Sequence, residues 1–238
     1  VMRALMAAEL LKIKRKMVWF LIFLGPLGVI GLQAVNFRLR YDYLTEQYAK
    51  DLWGGLILNV GYLTVPTLLI GLTLITSMIS NVEHQTNAWK QLLALPVRKA
   101  AVFTAKFVFS AALLFISSTL LGIGTAVLGV CLGFEMSQIP VKELLIMSYF
   151  PFFAAMPFVA LQIWLAVIER NQAIPLSVGI LGMVVCTYGV KLPDWMPWKW
   201  PSLINGWGGP EYSALAGLLT GLAVYLAGSI HFTRKDVK

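Results

Sequence analysis

Apolar runs of 18 or more residues recur along this chain, and no other feature constrains its fold as much. A helix of that length crosses the roughly 30 Å of hydrocarbon in a bilayer. Polar or aromatic stretches divide six such runs, at about 17–35, 56–80, 102–134, 144–168, 173–190 and 212–232. Only 13% of the residues are charged, and the mean hydropathy is +0.76. A soluble domain would carry about a quarter charged residues. The expected fold is an all-α integral membrane protein, one transmembrane domain over 1–238, with six spans and both termini on the same side.

Charge orients that arrangement. The net charge of +8 would suggest nucleic acid in a soluble protein, but its distribution points to the positive-inside rule and to no nucleic-acid partner. The N-terminal side carries 13 cations against four acids, among them Lys12, Lys90, Arg98, Lys106, Arg170 and Arg234. The opposite side carries six cations against seven acids. Both termini and the segment 81–101 are therefore expected on the cytoplasmic side.

Residues 2–16 form a helical pattern too polar to enter the bilayer. At 100° per residue Met2, Met6, Leu10, Ile13 and Met17 share a narrow arc, and Lys12, Lys14, Arg15 and Lys16 lie outside it. That predicts an amphipathic interfacial helix with its cations toward anionic headgroups; a plain basic flank is the other reading. No small-residue cleavage site follows the first run, so no cleavable signal is expected. Gly25-Pro26 predicts a kink in the first span, and Pro151 with Pro157 a fourth span that is not straight. Residues 36–53 mix both charge signs with aromatics, and Tyr41, Tyr43, Tyr48 and Trp53 suit a headgroup-level belt on the far side. Asn59 suits a hydrogen bond within or between helices, and Gly122, Gly124 and Gly129 suit close packing. Cys131 and Cys186 read as buried small hydrophobes.

The external segment 191–211 is too irregular for a strand or a long helix. It carries Trp195, Trp198, Trp200 and Trp207 among four prolines. These indoles are candidates for meeting an amphipathic substrate at the outer headgroup level; an ordinary aromatic belt is the plainer reading.

Chemistry is conspicuous by its absence. There is no P-loop, no His-Glu-x-x-His, no Gly-x-Ser-x-Gly and no carboxylate pair within a span. The sequence therefore offers no catalytic residue, no metal site and no cofactor of its own, and an enzyme is not expected. Few charges fall inside the spans, so no ion pathway shows itself.

What remains is the polar segment between the second and third spans, Ser80 to Lys106. It runs Glu83, then Trp89-Lys90-Gln91, then Leu92-Leu93-Ala94-Leu95-Pro96-Val97-Arg98. In helical register Trp89, Leu92 and Leu93 share a face, Pro96 stops the helix, and Arg98 marks re-entry. A projecting Trp with two Leu suits a partner's groove, although Trp89 at the headgroup level is also possible. Glu83 is expected to pair with a cation such as Arg98 or Lys106.

This order of features resembles the first cytoplasmic loop of ABC-2 type exporter permeases, with Asn87-Ala88 where that family commonly has Gly-Thr. The N-terminal helix and the six spans extend the resemblance over the whole chain. Its short length and Trp-Pro-rich last loop are most similar to lantibiotic-immunity and bacitracin-type exporter permeases. The resemblance implies that Glu83, Trp89, Lys90, Leu92, Leu93, Pro96 and Arg98 couple the chain to a separate ATPase. It further implies two ATPase subunits holding ATP and magnesium, and a second permease, identical or homologous. The resemblance also implies a bacterial plasma membrane and a cargo that is amphipathic peptide or lipid-like, as in antimicrobial peptide resistance. A membrane scaffold that recruits a cytoplasmic partner without transport is the alternative.

Overall fold

The computed structural model describes residues 2–14, 16–86 and 97–234. Its elements are α1 (Met2–Ile13), α2 (Val18–Leu39), α3 (Tyr41–Gln47), α4 (Leu52–Gln85), α5 (Lys99–Cys131), α6 (Val141–Ala154), α7 (Met156–Ile168), α8 (Ala173–Thr187) and α9 (Pro210–Arg234). Short 3-10 turns at Met136–Gln138, Gly189–Lys191 and Pro197–Ser202 complete it. No strand occurs among the described residues.

Four helices, α2, α4, α5 and α9, are long and apolar enough to cross a membrane, and the bent pair α6–α7 makes a fifth. The 34 residues of α4 and 33 of α5 extend about 50 Å, beyond the hydrocarbon thickness. The sixth apolar run is different. Its helix, α8, has 15 residues and reaches only about 22 Å, and the chain continues in 3-10 turns.

Local chemistry explains the ends and bends. Asp51 caps α4, its Oδ1 accepting the Gly54 N–H at 2.7 Å. Between α6 and α7 the axis turns by 42° at Ala155. Pro157, at the start of α7, has no N–H to continue the ladder from α6, so the break falls where the prolines place it. Pro26 and Pro66 lie within continuous helices, so neither ends its span. The aromatic-rich residues 36–53 are largely helical, as the end of α2 and as α3. Cys186 is buried, but Cys131 is exposed at the end of α5, contrary to its apolar surroundings in the sequence.

The core has three parts. The middle is built by Ile22, Leu72, Ile75, Leu114 and Val159 with their neighbours. One end is closed by Phe37, Trp53, Leu56 and Phe134, with Trp53 and Phe134 edge to face at 5.6 Å. The other end gathers Val102, Phe103, Ile163, Val167 and Phe232, with Leu5 and Val97 against them. The N-terminal helix, the flank of the 87–96 segment and the last turn of α9 thus share one end of the bundle.

Glycines let helices meet closely. Gly122 faces Ser148, Gly124 faces Ile30 and Gly129 faces Trp53, as expected for a small-residue side. The case least able to give is α9 on the α6–α7 bend, where backbone atoms face the glycines. Gly217 lies against the Ala154 backbone and Gly221 against Met156, with no room for a Cβ at either. Gly217→Ala should therefore lower stability by about 1–3 kcal/mol through overpacking. Gly182→Ala, with nothing within 4 Å of the added carbon, should be neutral or stabilising. Thermal unfolding of both variants in the same detergent checks the contrast; equal midpoints would contradict the packing.

Candidate functional site

Where α4 ends and α5 begins, four charged side chains meet. Glu83 lies one turn past Ile79 on the buried face of α4. Lys106 belongs to the buried stripe of α5 that includes Val102, Phe103, Phe109 and Ser110. They meet at 2.7 Å between Lys106 Nζ and Glu83 Oε1, with Lys106 fully buried and Glu83 1% exposed. Helix α1 supplies the other two members. Lys12 Nζ reaches Glu9 Oε1 at 2.8 Å and Glu83 Oε1 at 2.6 Å, and Lys106 Nζ reaches Glu9 Oε2 at 3.3 Å. Two acids and two lysines alternate, so the cluster is neutral as a whole.

Such a cluster is tolerated only because it is balanced, since an unpaired charge in that position would cost several kcal/mol. Burial disfavours the Lys12 ammonium, but the carboxylates of Glu9 and Glu83 overcome this and raise its pKa above the ordinary lysine value. Glu83 Oε2 has no hydrogen-bond partner among the described residues. Next to it, His84 Nε2 lies 3.0 Å from the Ala166 carbonyl, which also accepts from Gln172 Nε2 at 3.1 Å. The end of α4 is thereby tied to α1, to α5 and to the turn after α7.

Of the two cations expected beside Glu83, the structure selects Lys106. Arg98 is exposed at the start of α5 and stands apart from the cluster. Trp89, Lys90, Leu92, Leu93 and Pro96 lie outside the described residues. Glu9 escaped the sequence reading altogether. Of the arc expected in α1, Ile13 is buried and Met6 packs against the core, whereas Met2, Leu10 and Met17 are exposed. The buried face is thus rotated toward Glu9 by roughly 40° at 100° per residue. The buried residues of α1 are Glu9 and Ile13. Lys12, expected to face headgroups, is inside the cluster instead. The available signal was Glu9 itself, the one acid in an otherwise basic and apolar helix.

At the opposite end, the Trp-rich segment is ordered by its own hydrogen bonds. Trp200 is buried, and its Nε1 donates to the Asp194 carbonyl at 2.7 Å. Hydrogen bonds from Lys199 and from the Gly206 N–H hold the Asp194 carboxyl below the usual range. Asn205 accepts from the N–H groups of Trp207 and Gly208 and donates to Ser213 Oγ at 2.8 Å. Trp195, Trp198 and Trp207 remain exposed. The four indoles therefore divide into one internal strut and three surface groups.

Trp198 also borders a cleft of about 400 Å³ between α4, α7 and α8, which includes Thr73, Gln162 and Gly179. Its indole lies 6.2 Å from the Phe158 ring at the cleft's edge. No group of three or more His, Cys, Asp or Glu suited to a metal occurs among the described residues.

Long apolar helices, bent and closely packed, with ionic residues gathered at one end, define a multi-pass membrane protein. Residues 5–186 match the family model described as ABC-2 family transporter protein, and the chain belongs to that family. It is thus a membrane permease component of an ABC transporter, a class that works with an ATP-binding subunit. No curated protein and no solved structure matches the chain.

Proposed function

We propose that this chain is the permease of an ATP-driven exporter for amphipathic peptide or lipid-like compounds in a bacterial plasma membrane. It acts as one of two permeases, identical or homologous, above two ATPase subunits that hold the ATP and magnesium. The chain itself carries no catalytic group in this reading. Its backbone crosses six times, with α8 and the turns after it making the shortest crossing, and both termini are cytoplasmic. The observation that carries the reading is the buried cluster of Glu9, Lys12, Glu83 and Lys106. It fastens α1, α4 and α5 into one body beside the 87–96 segment, so a push on that segment moves two long helices together. The cargo class rests on the exposed indoles of the 191–211 segment and on the resemblance to antimicrobial-peptide exporters.

Affinity purification of the chain from its native membrane in mild detergent tests the reading. An ATPase subunit should copurify, and its turnover in nanodiscs should rise with permease present. A copurifying cytoplasmic protein without ATPase activity would favour a recruiting scaffold.

Topology is tested separately. With Cys131 and Cys186 replaced by serine, cysteines at Gln138 and Trp207 should react with an impermeant thiol reagent added to intact cells. Cysteines at Asn87 and Asn171 should react only after permeabilisation. Labelling at Asn87 from outside would overturn the six-crossing arrangement.

A further inference from the structure

Four helices pass from one part of the core to another at a common level. In α2, Ile22 packs in the middle cluster and Val29 in the cluster closed by Trp53 and Phe134. In α4 the change falls between Val60 and Leu69, in α5 between Leu114 and Leu121, and in α6 between Met147 and Phe152. Each interval holds residues that weaken a helix or its packing. Pro26, Pro66 and Pro151 lie in three of them, and Ser117 with Ser118 in the fourth. The level is shared in space. Gly25, Thr67, Ser117 and Ser118 border one cavity of about 40 Å³ between α2, α4 and α5. Thr64 Oγ1 lies 3.7 Å from Met147 Sδ, and Thr119 Oγ1 lies 3.0 Å from the Tyr149 hydroxyl, which brings α6 to the same height.

Proline has no N–H for the carbonyl four residues earlier, so Pro26 leaves Ile22 without its helical donor. Ser117 on α5 supplies one, its Oγ donating to the Ile22 carbonyl at 3.2 Å. Within hydrocarbon such a carbonyl has no water to turn to, and a neighbouring hydroxyl is a common substitute. Gly25 permits the approach, since a Cβ there would crowd Thr67 Cγ2 at 3.3 Å. The bond thus fastens α2 to α5 where the ladder of α2 is weakest. A close-packed interior resists movement, whereas a cavity larger than a single water leaves the side chains around it room to shift. The side formed by α9 is built differently. It has no proline after its first residue, and it presses Gly217 and Gly221 on the α6–α7 bend.

We propose that this level is a hinge, at which the half of the bundle closed by Trp53 tilts against the half that holds the ionic cluster. Helix α9 is the fixed side, α2, α4 and α5 are the side that opens, and the Ser117–Ile22 hydrogen bond is the latch. A hinge needs only a few residues able to absorb a change in backbone angles, and three prolines at one height supply them. In the transport reading the tilt carries a push at the ionic end to the other end, and the hinge rests on that reading for its use alone. It is tested on the permease without ATPase or nucleotide, so a rigid bundle and a failure to couple are separate results.

Thermal unfolding of the full chain in detergent tests the latch. Ser117→Ala should lower the midpoint by about 2–4 °C, the weight of one hydrogen bond in a chain of this size. In a Pro26→Ala background, where position 26 regains an N–H for Ile22, the same replacement should have no effect. Equal shifts in the two backgrounds overturn the latch. The hinge is tested with nitroxide pairs in nanodiscs, Cys131 and Cys186 being replaced by serine and distances measured by pulsed electron resonance. Leu39 with Arg234 spans the level, and Leu39 with Met136 lies wholly on the Trp53 side; all three side chains are exposed. The spanning pair should give a broad distribution and the other a narrow one. Pro26→Ala with Pro66→Ala, which restores both ladders, should narrow the first to the width of the second. Equal widths in the chain with its prolines overturn the hinge, as does a spanning pair whose width survives both replacements.

Discussion

Lys106→Met should cost about 3–5 kcal/mol, the largest loss expected from any single replacement in this chain. The methionine fits the volume, but Glu9 and Glu83 are then left with one lysine between two buried carboxylates. Against a total stability of roughly 5–15 kcal/mol for a typical domain, such a loss leaves a protein that is poorly folded at growth temperature. The double replacement Lys106→Met with Glu83→Gln restores charge balance, leaving Glu9 with Lys12, and should recover much of the loss. Thermal unfolding in detergent, monitored by size-exclusion profile, distinguishes these outcomes. If Lys106→Met unfolds with the wild-type protein, the cluster contributes nothing and cannot fasten the helices.

Trp89→Ala should have the second largest effect, and on association instead of folding. A buried aromatic anchor at a protein interface commonly contributes about 2 kcal/mol or more, which weakens binding roughly thirtyfold. Trp89, Leu92 and Leu93 share one helical face in the sequence, so Leu93→Asp should act in the same direction. Both variants should insert and fold normally, yet fail to retain or stimulate the ATPase in a pull-down with parallel ATP turnover. The charge-balanced pair Glu83→Gln with Lys106→Met should behave differently, retaining the ATPase but moving less cargo per ATP hydrolysed, because it loosens the helices behind the contact. Wild-type retention and stimulation by Trp89→Ala would remove the 87–96 segment from the coupling path.

Apolar run length made most of the helices legible, since nothing but a helix lets 20 such residues satisfy their own backbone in lipid. Pro151 and Pro157 announced the bend, because proline acts locally and needs no tertiary partner. The pairing of Glu83 with Lys106 was also within reach: two charges at facing ends of adjacent spans have few other places to go. Where the sequence misled, long-range contacts had decided. The turn of α1 about its axis depends on Glu9 meeting Lys106, 97 residues away, and an apolar arc of methionines is a weak competitor to that pairing. The run 173–190 is apolar throughout, yet its helix stops at Thr187, where Gly189 lies against the Trp198 carbonyl.

The ionic cluster also bears on how the chain is made. Ribosomes deliver its members in order: Glu9 and Lys12 first, Glu83 next, and Lys106 last. Until Lys106 is synthesised, Glu9 and Glu83 share a single lysine of the cluster, Lys12. Arrival of Lys106 neutralises the surplus acid and makes burial of all four groups affordable at once. The contact among α1, α4 and α5 at this end is therefore completed only once α5 has been made. The 23 residues separating Glu83 from Lys106 set how long a nascent chain carries that unfinished charge.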